Sequence, residues 1–172
     1  VAIKEEKPAM TLLKQISLAI QKIRMQIENI QTENGKKILE FCLKNEGKSF
    51  GNKFVELGCV DELLAIYNKF AKDKILNVYS TIILGKLLEN SKKFFLITNK
   101  TNLLGGEIVI SITGTGNGII KNGHVGFYVG DNRIASNDSG DGKLKRNYTL
   151  KSWEERYNII GGMKVLYYRV LD

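Results

Sequence analysis

Apolar side chains recur every three or four residues up to about residue 90 of this chain, and every second residue after about residue 106. The first spacing belongs to helices that bury one face, the second to half-buried strands. Residues 10–33 read as a helix, as do 36–46, 59–70 and 78–90, each with an apolar stripe. The stripes run through Ile38, Phe41 and Cys42, then Leu63, Ile66, Tyr67 and Phe70, then Ile83, Leu84, Leu87 and Leu88. Residues 106–111, 124–130, 132–137 and 164–171 alternate and read as strands, with Gly130-Asp131-Asn132 as a hairpin turn. Helices come first and an antiparallel meander follows, so the fold class is α+β.

The first helix carries a stricter pattern than the others. Leu13, Ile16, Ile20, Ile23, Ile27 and Ile30 are spaced 3, 4, 3, 4, 3, which is a heptad seam. Asn34-Gly35 then stops the helix. The chain therefore divides into an N-terminal helix over 1–34 and a second domain over 35–172. The seam either packs on its own domain or makes a homo-oligomer through residues 13–30.

The remaining composition narrows the function. The net charge is +8, from 26 basic and 18 acidic residues, and it is spread along the chain. Such a surface suits polyanions such as an anionic cell wall. Aromatics are not interleaved with the lysines as a single-strand binder requires, so nucleic acid is not an expected partner. No run of about 18 apolar residues occurs, and the first 25 residues lack an apolar signal core, so neither membrane insertion nor a secretory signal is expected. One histidine and two cysteines give no zinc-ligand spacing, and no metal or cofactor is implied.

Those three residues nonetheless carry chemistry. Cys42 sits in the middle of an apolar helix face, as a small buried hydrophobe does. Cys59 follows Gly58 at a helix start, where the dipole favours thiolate and a backbone N–H can face an oxyanion. A buried cysteine beginning a helix fits the same pattern. His124 heads a strand and is the one side chain that titrates near neutral pH unperturbed. Along that strand 124, 126 and 128 point one way and 125, 127 and 129 the other, so Gly126 leaves the space beside His124 empty. A hairpin turning at 130–132 brings residues near 137 and 138 opposite His124. Asn137 and Asp138 are the candidates for the group that orients the imidazole, although both could simply make the turn that follows.

Four blocks in order, "GCVDELLAIY", "GEIVISITGTGNGIIKNGHVGF", "SNDS" and "YTLKSWEERYNIIGG", resemble the NlpC/P60 and CHAP group of papain-like cysteine peptidoglycan hydrolases, and phage endolysin-like members most. The resemblance covers about residues 54–172. It implies a papain-like NlpC/P60 or CHAP fold with an extra N-terminal helix, and peptidoglycan as partner. Cys59 matches the nucleophile, His124 the base and Asn137 the third residue, with Asp138 one step away. Where CHAP members usually have Gln before the cysteine, this chain has Gly58. Gly106 follows Gly105 rather than the usual Pro, and Glu107 replaces the usual Asp after Gly. These departures bear on the oxyanion donors.

The expected activity is amide or peptide-bond hydrolysis in the cell wall. A non-catalytic wall-binding or virion module on the same fold, and a papain-like acyltransferase or protein peptidase, are the alternatives. "TGTGNG", 113–118, lacks the spacing of a dinucleotide loop and reads as a rim of the cleft. Trp153 and Tyr148 either line that cleft or belong to the core.

Overall fold

Helices fill the first half of the chain and strands the second in the computed structural model, which describes residues 7–51 and 58–172. Residues 1–6 of the N-terminal helix region and 54–57 of the resemblance lie outside the described residues. The chain divides into two compact units, one ending at Ile30 and one running from Gln31 to Asp172. The division precedes Asn34 because Thr32 already belongs to the second unit. Its hydroxyl donates to the Val170 carbonyl at 2.6 Å and caps the next helix by accepting from the Gly35 N–H at 3.0 Å.

The first unit is helix α1 (Lys7–Glu28). The helix ends before residue 33, and the Asn29 side chain donates to the Met25 carbonyl at its last turn. Along the heptad seam Leu13, Ile20 and Ile23 are each more than half exposed, and Ile27 is half-buried.

The second unit contains α2 (Glu33–Lys44), α3 (Gly58–Phe70) and α4 (Thr81–Asn90). They precede a six-stranded antiparallel sheet of β1 (Phe94–Ile97), β2 (Ile108–Ser111), β3 (His124–Tyr128), β4 (Arg133–Asn137), β5 (Leu144–Thr149) and β6 (Val165–Val170). The order across the sheet is β1-β6-β2-β3-β4-β5, so β2 to β4 run as the expected meander, β5 extends it, and β6, expected as its last strand, returns instead between β1 and β2. A short helix α5 (Leu150–Glu154) runs into a wide helical turn over Glu155–Ile160. The α+β class stands. Edge strands β1 and β5 and the α5 region are additions to the elements read from the sequence.

Both faces of the sheet are covered. Val125, Phe127 and Ala135 meet α3 and the other helices in one core, which includes Cys59, Leu63 and Ile66. Val109 and Ile134 meet Trp153, Tyr157 and Met163 in a second core on the opposite face. Each fully buried large side chain contributes about 1.5–3 kcal/mol of transfer free energy, which is why short strands of four to six residues hold. The hairpin between β3 and β4 turns where Gly130, Asp131 and Asn132 all take positive φ. Its register pairs Gly126 with Ser136, Phe127 with Ala135 and Tyr128 with Ile134.

Candidate active site

Two elements meet at one end of the sheet. α3 begins at Gly58 and presents Cys59 in its first turn, and β3 begins with His124. Both residues line a cavity of about 1040 Å³, together with Asn137, Asn147, Tyr148 and Arg156. The loop 119–123 and the turn 138–142 form its rims. The glycine-rich stretch before that loop is tied down: Gly118 and Ile119 donate to the carbonyls of Gly161 and Ile160 at 3.1 and 3.2 Å.

Cys59 is 9 % exposed. Burial pushes its thiol pKa up, while backbone groups of Val125, Val60 and Cys59 itself act to lower it. The expected dipole effect is therefore outweighed by desolvation. Cys42, 1 % exposed within the core, is pushed up to about 12, again by burial first. Among the described residues no hydrogen bond joins the Cys59 thiol to His124, although the thiol is felt by the backbone of Val125, the next residue along β3.

The His124 ring lies among aromatics. Trp153 stacks at 5.3 Å and 25° and Tyr157 at 6.0 Å and 25°, with Tyr148 edge-on at 6.0 Å. Trp153 is fully buried and donates its indole N–H to the Ser111 hydroxyl at 3.0 Å. Ser111 is the β2 partner of His124, so the residue that anchors the indole stands beside the histidine on the neighbouring strand. Tyr148 thus lines the cavity, while Trp153 is a core residue that backs the imidazole. Burial lowers the His124 pKa to about 4. Arg156 adds to that shift, and the Asn137 carbonyl and Asp138 oppose it.

The imidazole Nε2 lies 3.0 Å from the Ser136 hydroxyl, which in turn reaches Asn147 Oδ1 at 2.8 Å. With the hydroxyl hydrogen given to Asn147, the serine oxygen accepts from Nε2–H. That assigns the proton to Nε2 and leaves Nδ1 as the basic nitrogen. The group holding His124 is therefore Ser136, not the side chain of Asn137 or Asp138. The reason is the pleat. Ser136 shares a sheet face with His124, and Asn137 leaves by the other face. There a methyl group on Gly58 would come 3.3 Å from Asn137 Oδ1. Asp138 turns into the rim, accepting from the Gly140 N–H at 2.8 Å and pairing with Lys145 at 3.5 Å.

Ser136 and Asn147 were not among the residues singled out in the sequence. The signal for Ser136 was Gly126, its register partner, whose missing side chain leaves the imidazole room to lean across. A methyl group there would meet Ser136 Cβ at 2.8 Å. Asn147 stands on edge strand β5, whose charged sequence hides it. The residues at Gly106 and Glu107 lie outside the cavity. The Glu107 carboxylate is buried against Arg169 at 2.7 Å and accepts from the Leu104 and Gly105 N–H groups.

The sequence matches no protein-family model and no curated protein. Among solved structures the chain is similar to NlpC2 from Trichomonas vaginalis, with a TM-score of 0.51 and 14 % identity, over 83 % of this chain. The match takes in 48 % of that chain, so this chain spans about half the length of that structure. At that identity the likeness concerns the fold, which is NlpC-like and distantly so.

Proposed function

We propose that the chain is a cysteine hydrolase that cleaves an amide or peptide bond of peptidoglycan. The observation that carries this is the placement of Cys59, at the head of α3, and His124, at the head of β3, in the wall of one cavity. The fold likeness to an NlpC protein supports the reaction class, and the dispersed net charge of +8 supports an anionic polymer as the partner. Fold likeness alone does not choose a substrate, so the bond is assigned only as an amide.

The resting pair is a neutral thiol and a neutral imidazole, because burial raises one pKa and lowers the other. Catalysis then starts with transfer of the thiol proton to His124 Nδ1 as the sulfur attacks the carbonyl carbon. Ser136 and Asn147 hold the ring from the Nε2 side. The tetrahedral intermediate collapses with cleavage of the C–N bond, and the proton on Nδ1 goes to the leaving amine. The neutral imidazole next takes a proton from water, whose oxygen attacks the thioester. The acid is released and the proton returns to sulfur. These steps need no cofactor.

A second reading, a wall-binding module without turnover, is favoured by one observation: no hydrogen bond joins the buried thiol to the imidazole. Turbidity of purified sacculi decides between them. The hydrolase reading expects clearing by the wild type and by Cys42→Ala, and none by Cys59→Ala. Binding of sacculi without clearing by any of the three would favour the module.

A further inference from the structure

Glu62 stands one turn after Cys59 in α3 and is 1 % exposed. Among the described residues neither of its carboxylate oxygens has a hydrogen-bond partner. A carboxyl group buried in this way destabilises the fold unless something answers it. The groups acting on it are the Asn137 amide and the Phe50 N–H, which lower its pKa against the larger effect of burial. Neither forms a hydrogen bond with the carboxyl among the described residues. Asn137 thus lies between two things. On one side is the buried Glu62, and on the other are Gly58 and the first turn of α3, with Asn137 Oδ1, Cγ and Nδ2 at 3.3–3.6 Å from a methyl built on Gly58.

Gly58, Cys59 and Asn137 all face the cavity. The first N–H groups of a helix have no partner inside it, and the Cys59 N–H lies beside its own thiol, where an oxyanion formed on attack would face it. Oxyanion sites gather more than one donor, from backbone N–H groups or from side chains such as Asn and Gln. Gly58 has no side chain to supply one, and the room this leaves is taken by Asn137.

Resting on the hydrolase reading above, we infer that Asn137 is the side-chain oxyanion donor at Cys59, and that the Glu62 carboxyl is a positioning group that keeps its amide in the donating orientation. An asparagine amide can present oxygen or NH2 in the same outline, and only NH2 can donate. A carboxyl oxygen behind it accepts from one Nδ2 hydrogen and repels Oδ1. The second Nδ2 hydrogen is then turned toward the carbonyl oxygen that becomes negative in the transition state. This accounts for a buried carboxyl that otherwise satisfies nothing, and for an asparagine that leaves the imidazole to Ser136.

The test compares Asn137→Ala, Asn137→Asp, Glu62→Leu and Glu62→Gln with the wild type on a soluble stem-peptide fragment, with folding checked by circular dichroism. If Asn137 donates to the oxyanion, Ala and Asp both lower kcat by about 10²–10³-fold with KM little changed, because Asp keeps the shape and loses the donor. Glu62→Leu lowers kcat by about tenfold, in line with a misplaced group, and Glu62→Gln restores most of that loss by keeping an acceptor oxygen. An Asn137→Asp enzyme with wild-type kcat would overturn the inference, because a carboxylate there cannot donate. So would equal kcat in all four variants. If Cys59→Ala is as active as the wild type in the same assay, or neither cleaves, the hydrolase reading falls and takes the inference with it. An inactive Cys59→Ala beside a fully active Asn137→Asp overturns the inference alone.

Discussion

The Nε2 of His124 and the Oγ of Ser136 lie 3.0 Å apart, on residues two steps out of register across the β3–β4 hairpin. Gly126, which does pair with Ser136, has no side chain to come between them. The contact continues to Asn147 on the edge strand.

Ser136→Ala and Asn147→Ala should therefore each lower turnover by about 10- to 100-fold with the fold intact, since they orient a base without transferring protons. Steady-state kinetics with circular dichroism checks this. Two silent substitutions would show that the imidazole is held by its aromatic neighbours alone.

His124 is the only histidine in the chain, so its ring gives isolated NMR signals. Its folded pKa of about 4 lies below the ordinary value of 6.5. Between those values the unfolded chain binds the proton and the folded one does not. The stability this group contributes is thus present above pH 6.5 and lost as pH falls through 4. The ring signals should titrate near pH 4. A midpoint at 6.5 or above would mean a solvated ring or an ion pair with Cys59.

Glu62 has the opposite sign. Its folded pKa is pushed from the ordinary 4.5 up to about 7, by burial first. Stability is fullest below pH 4.5 and is lost as pH rises through about 7. Glu62→Gln should raise the Tm relative to wild type at pH 8, and the gap should shrink as the pH is lowered toward 5. A gap independent of pH would show that the carboxyl is solvated in the folded protein.

Leu13, Ile16, Ile20 and Ile23 of the α1 seam lie exposed, and we propose that a second copy of the same seam is the partner their spacing suits. Replacing Ile20 and Ile27 with Lys should yield a smaller species in sedimentation, with the Tm unchanged. A fall in Tm at constant mass would mean that the seam packs within the chain.

The sequence carried the fold wherever burial imposed a period. α3 and α4 and strands β2, β3, β4 and β6 were legible because Ile66, Leu84, Val125 and Phe127 each recur at the spacing their element requires. β5 was not, because an edge strand reading Leu-Lys-Arg-Asn-Tyr-Thr has one face in solvent and no apolar alternation. α5 was hidden by its length, since five residues show no helical period. At the site, the elements bearing Cys59 and His124 were legible from their positions at a helix start and a strand head. The hairpin arithmetic gave the register, with Gly126 opposite Ser136. It did not say that an imidazole can lean diagonally over a glycine to the residue before Asn137. Nor does a sequence show that Glu62, among the acidic residues of a helix's first turns, is the one turned inward.

Mass spectrometry of the muropeptides released from purified sacculi tests the central claim most directly. The wild type should produce fragments that carry one new amine and one new carboxyl group from a single type of amide, and Cys59→Ala and His124→Ala should produce none above the untreated sacculi. Sacculi left unchanged by the wild type, or the same fragments from Cys59→Ala, would contradict it.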